Sequence, residues 1–238
     1  MKAFFRALVS NIIFAVKIIL GFYVTIWLVR LLESPAWQST ASQASLQLPF
    51  INNLKTAVVV VGGLFMATWG LRFLDRSFFK GRLKARYGIK PHASLNIPSF
   101  FTAHLVHGYD EHLYSNTRSL LIFTGVAVLI TPDFQTYFLA TAVMVLIQGF
   151  GVWIFGQRGT NHIGASGMLL AYFSFNITYG LAYPSWRNAL AVLLIIFFGR
   201  GIWRTLRYPG ENTSVAMHLW GFLSGILAAL MLIEFGYT

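Results

Sequence analysis

Residues 164–167 read Gly-Ala-Ser-Gly at the head of an apolar run, which sets the Ser166 hydroxyl among side chains that favour lipid. A serine hydroxyl becomes a useful nucleophile only when a base within hydrogen-bond reach takes its proton, and neutral imidazole suits that task. His218, in "AMHLWG" (216–221), offers such a base. Acyl transfer also needs donors aimed at the developing oxyanion. His112 and Asn116, in "HGYDEHLYSN" (107–116), stand four residues apart and therefore on one helical face, where they can act with the Ser166 backbone N–H. The seven acids are Glu33, Asp75, Asp110, Glu111, Asp133, Glu211 and Glu234, and none is placed to orient His218 from within its own span. The pattern therefore predicts a Ser–His dyad rather than a triad. The chain has no cysteine, which excludes disulfides, thiolate nucleophiles and thiolate metal sites, and the HExxH arrangement of metalloproteases is missing. No metal and no organic cofactor is expected.

Each residue also has a plainer reading. A serine in a membrane helix can bond its own backbone, and Gly164 and Gly167 can serve close packing alone. His218 precedes a stripe of small residues, Gly221, Gly225 and Ala229, and could simply bond across that packing face. Packing alone, however, does not require a hydroxyl, an imidazole and an amide at one depth. Whether they share a depth depends on the elements that carry them.

The 238-residue chain is 56% hydrophobic and 11% charged, with a mean hydropathy of +0.64. That is too little charge to cover a soluble domain, and it predicts an all-α, polytopic membrane helical bundle. About 20 mostly apolar residues cross a bilayer. By that measure the candidate spans are 10–32, 54–74, 113–132, 134–156, 164–182, 186–204 and 215–235. The first starts as a signal peptide does, but Lys17 interrupts it and the small-residue stretch "STASQA" (39–44) lies far beyond its apolar end. An uncleaved spanning helix is expected, followed by a polar linker at 33–53. This divides the chain into an N-terminal helix and linker (1–53) and a six-helix core (54–238). Short connectors make neighbouring core helices antiparallel, so the N-terminal ends of the second, fourth and sixth share one membrane face. Those ends carry His112 and Asn116, Ser166, and His218. The positive ends of helices keep an imidazole neutral and favour developing negative charge.

The three segments "HGYDEHLYSN", "HIGASG" and "HLWGFLSG" together resemble the signature of the rhomboid intramembrane serine proteases. The resemblance implies the following roles. Ser166 would be the nucleophile and His218 the general base, with His112, Asn116 and the Ser166 N–H as oxyanion hole. His107 would support the site, Gly164 would allow close backbone approach, and Gly167, Gly221 and Gly225 match the family's small positions. It implies an intramembrane serine endopeptidase that cuts peptide bonds in or near the transmembrane helices of single-pass or other membrane-protein substrates. Water would enter from the face bearing loop 75–110, and substrate would enter laterally near the fifth core helix. Where many members carry an aromatic one turn after the serine, this chain has Leu170. The nearest rival is a catalytically inactive relative that binds and escorts membrane helices; such relatives usually lack the serine or the histidine, and this chain keeps both.

The net charge of +11 lies beside hydrophobic spans, where anionic membrane lipid rather than nucleic acid is the usual partner. The main cluster, "RSFFKGRLKARYGIK" (76–90), reads as an interfacial amphipathic segment. On the face of the candidate site stand 13 of the 18 basic residues: Lys2, Arg6, Arg72, Arg76, Lys80, Arg82, Lys84, Arg86, Lys90, Arg158, Arg200, Arg204 and Arg207. Positive charge is retained on the cytoplasmic side. The charges therefore predict a cytoplasmic mouth in what is expected to be the bacterial plasma membrane, whereas resemblance to the commoner bacterial members implies an exterior one.

Overall fold

The structure is a computed structural model that describes residues 48–202 and 214–237. The expected first span (10–32), most of the polar linker, and the segment carrying Glu211 lie outside the described residues. Those described are helical, with a single antiparallel bridge between Ile89 and His162. The long helices are α1 (Leu48–Leu74), α4 (Asp110–Ile130), α5 (Phe134–Phe155), α6 (Ser166–Ala182), α7 (Trp186–Phe198) and α8 (Val215–Glu234). Between α1 and α4 the chain forms a π-helical turn (Asp75–Phe79) and two short helices, α2 (Leu83–Tyr87) and α3 (Ile97–Thr102). Among the described residues, four helical segments, 52–79, 110–130, 134–155 and 215–234, are long and apolar enough to cross a membrane.

Several boundaries differ from expectation: α4 starts at Asp110 rather than 113, α7 ends at Phe198 rather than 204, and the starts of α1 and α6 also move. Helix α1 begins at Leu48, so the end of the polar linker is already helical, and Asn53 donates its amide to the Thr131 carbonyl at 3.0 Å, tying the start of α1 to the end of α4. Helix α6 begins at Ser166 rather than at 164, because Gly164 takes φ +105°, a left-handed value that no α-helix accepts.

Helix α6 has only 17 residues, and it is the axis of the bundle: Gly167 through Asn176 are buried without a break. It packs on α4, α7 and α8. A helix enclosed by protein can carry polar groups provided each finds a partner. Ser174 donates to the Phe222 carbonyl at 2.7 Å, Asn176 to the Phe123 carbonyl at 2.9 Å, and the Tyr172 hydroxyl pairs with Tyr137 and Thr141 at 2.9 and 3.0 Å.

The α6–α8 contact depends on glycine. A Cβ on Gly221 would overlap the Gly167 carbonyl, and one on Gly225 would strike the Ala171 carbonyl. Both obstacles are backbone, which has no rotamer by which to yield. Gly221→Ala is therefore expected to destabilise the bundle by about 1–3 kcal/mol, the usual cost of overpacking. A thermal melt in detergent checks this, and an unchanged midpoint would show that α8 can shift freely on α6.

The amphipathic segment also takes form. Phe78 and Phe79 are exposed while Leu83 is buried, and the Leu83 N–H donates to the buried Asp75 carboxylate at 3.0 Å. Apolar rings exposed among Lys80, Arg82, Lys84 and Arg86 suit a membrane–water interface.

Candidate active site

Ser166 is the first residue of α6, where backbone N–H groups have no intrahelical acceptor. The loop before it is held from the 103–107 segment by two bonds. Gly164 N–H donates to the Ala103 carbonyl at 2.8 Å, and Ala165 N–H donates to Nε2 of His107 at 3.2 Å. Because Nε2 accepts, His107 carries its proton on Nδ1 and donates to the Leu105 carbonyl at 3.3 Å. Burial, and after it the neighbouring His112, hold the His107 pKa down to about 3, so it remains a neutral acceptor. His104, buried in the same wall, is lowered to about 4, chiefly by burial.

His112 lies in the first turn of α4, its ring 5.2 Å from that of His107 between centroids. A Cβ on Gly164 would come within 2.5 Å of His112 Cε1, so only glycine lets the loop before Ser166 pass so close to this imidazole. One turn further along α4, Asn116 is 8% exposed and its Nδ2 has no hydrogen-bond partner. Buried amide donors are rarely left unused, and one that is unused invites an explanation. The start of α4 is fixed from α1: Arg72 donates to Asp110 at 2.7 Å and to the His107 and Gly108 carbonyls at 3.5 and 3.3 Å, and Arg76 also pairs with Asp110.

His218 lies in the first turn of α8, 5% exposed, with Nδ1 unpartnered. Its neighbour Met217 and the next-turn Gly221 both abut Gly167, the residue after Ser166. The sites of Ser166 and His218 are thereby adjacent, but no hydrogen bond joins the two side chains in this structure; catalytic contacts often tighten only when substrate is bound. The carboxylates of the described residues are engaged elsewhere or exposed. Asp75 and Asp110 belong to the Arg72 cluster, Asp133 caps α5, and Glu111 and Glu234 face outward. Among the described residues, no three His, Cys, Asp or Glu side chains are grouped so as to hold a metal ion.

Tyr172 is not one turn after Ser166, and its hydroxyl is committed to Tyr137 and Thr141 of α5. Leu170, one turn after Ser166, is buried at 2% exposure. The residues that sequence reading passed over are Gln148, whose buried amide donates to the Met217 carbonyl at 3.1 Å, and the pair His162 and Ser214. Their signal is tertiary, since the partners are far apart along the chain.

A family model for the rhomboid domain matches residues 96–235, a stretch that contains all of these groups from His104 to Gly221. The chain belongs to the rhomboid family. With its apolar helices, this rhomboid is an integral membrane protein. It is similar to uncharacterized proteins of Mycobacterium tuberculosis (strain ATCC 25618 / H37Rv) and Mycobacterium bovis, each 28% identical over 153 residues, covering 61% of this chain and 63% of the relative. A further uncharacterized protein, of Mycobacterium leprae, is 26% identical over 137 residues, covering 55% of this rhomboid and 54% of the relative. The chain spans 63% or less of the length of these curated relatives. No solved structure matches it significantly.

Proposed function

We propose that this rhomboid is an intramembrane serine endopeptidase acting on the transmembrane helices of other membrane proteins. The observation that carries the reading is the meeting of α6 and α8 at Gly167 and Gly221, which sets Ser166 beside His218, with the unpartnered Asn116 amide on the adjoining helix. Ser166 Oγ attacks the scissile carbonyl carbon as His218 takes the hydroxyl proton. The resulting oxyanion accepts from His112, Asn116 and the Ser166 N–H. Collapse breaks the C–N bond, and the leaving amine takes the proton from His218. A water, deprotonated by His218, then hydrolyses the acyl ester and restores Ser166. An unwound substrate segment with small residues at the cut best fits so enclosed a site.

Detergent-purified protein should cleave a model transmembrane substrate and react with a serine-directed fluorophosphonate at Ser166. Binding of the helix with neither cleavage nor labelling would instead make the protein an inactive escort.

The mouth of the site is assigned to the cytoplasmic side of a bacterial plasma membrane on its charge, with a cytoplasmic N-terminus and an external C-terminus. Arg72 and Arg76 pair with Asp110, yet still count, because the retention rule follows lysine and arginine rather than net charge. Reporter fusions after Thr238 should give high alkaline phosphatase activity, and fusions within 80–92 should fluoresce. The reverse pattern would mean an exterior mouth.

A further inference from the structure

We propose that His162 is a positioning residue that fastens the helix carrying His218 to the loop carrying Ser166; this rests on the function proposed above. His162 lies four residues before Ser166, and its backbone pairs with Ile89 in both directions, at 3.0 and 2.9 Å. Ile89 is fully buried, so this point of the loop is anchored to the 75–110 segment. The His162 side chain reaches the other way. Its Nδ1 meets Ser214 Oγ at 2.5 Å, and its Nε2 meets Thr160 Oγ1 at 2.7 Å. Ser214 is the N-cap of α8: its Oγ accepts the Met217 N–H at 3.0 Å, and its carbonyl accepts the N–H of His218 at 3.1 Å. One imidazole thus joins the nucleophile loop to the first turn of the helix that bears the base.

The network assigns the direction of each bond. Thr160 has one hydroxyl proton and donates it to the Gln157 carbonyl at 2.6 Å, so toward His162 it can only accept. Nε2 therefore carries the proton, and Nδ1 accepts from Ser214, whose oxygen remains free to cap Met217. Every donor and acceptor in the chain is used once in this tautomer. The contact borders a cleft of about 580 Å³ lined also by Phe155, Leu219 and Trp220. Displacing a catalytic group by about 1 Å can cost roughly 100-fold in rate.

The two ring nitrogens give a direct test. Asparagine places its amide near the position of Nδ1, and glutamine near that of Nε2. His162→Ala should lower kcat on a model transmembrane substrate by about 10- to 100-fold with KM changed less than about twofold. His162→Asn should recover most of the rate by keeping the Ser214 bond, while His162→Gln should not. Hydrogen exchange of the 214–220 segment supplies a readout that needs no activity: it should quicken in the alanine and glutamine variants and stay near wild type in the asparagine variant. Unchanged exchange in His162→Ala, or better rescue by glutamine than by asparagine, overturns the proposal. If wild-type protein neither cleaves nor takes the fluorophosphonate while exchange follows the expected order, the fastening stands and the protease reading falls.

Discussion

Ser166→Ala is expected to lower cleavage by roughly 10⁴-fold or more, and His218→Ala to do the same, because removing either member of a nucleophile–base pair forfeits most of what the pair supplies together. For the same reason the double variant should be little worse than either single one. The structure says why the fold should survive. Ser166 makes no side-chain hydrogen bond, so its alanine variant loses no tertiary bond, and Nδ1 of His218 is a buried polar atom without a partner. Deleting unpartnered polar groups does not incur the penalty of breaking a made bond. Purified Ser166→Ala should therefore melt within a few degrees of wild type while neither cleaving substrate nor taking the fluorophosphonate. Cleavage near the wild-type rate in either variant would remove the dyad from the account.

Asn116→Ala should lower kcat by about 100- to 1,000-fold, the usual consequence of losing one oxyanion donor. Here activity and stability are expected to move in opposite directions. Nδ2 of Asn116 is buried and unpartnered in the resting protein, an arrangement that costs stability and makes sense if the bond is completed only during reaction. Alanine relieves that cost, so the melting midpoint should hold or rise as turnover falls. Loss of stability with unchanged kcat would make Asn116 a packing residue. His112 and the Ser166 N–H should leave a measurable remainder of activity, which separates this variant from the two dyad variants.

The hydrophobic runs placed most helices, because crossing lipid imposes a length and a composition that can be read without partners. Helix α6, expected at 164–182 and found at Ser166–Ala182, was placed in the same way, but its enclosure by protein was not legible. Its Ser174, Asn176 and Tyr172 are polar because α4, α5 and α8 supply their partners, and no local pattern announces that enclosure. Helix ends were less legible where a backbone angle decided them, as at Gly164.

Within the candidate site, residue types and their order along alternate helices were legible from the chain alone: His112 and Asn116 one turn apart on α4, Ser166 at the start of α6, and His218 in the first turn of α8. Such spacings follow from helical geometry and the parity of antiparallel crossings, both local or topological properties. What each glycine is for emerges from the packing, with Gly164 yielding to the His112 ring and Gly221 to the Gly167 carbonyl. It alone turned the Tyr172 hydroxyl toward Tyr137 and Thr141 of α5. It alone joined His162 to Ser214 across 52 positions of chain. Hydrogen bonds between distant segments leave no periodicity in a sequence, because their partners are chosen by packing after the helices have formed.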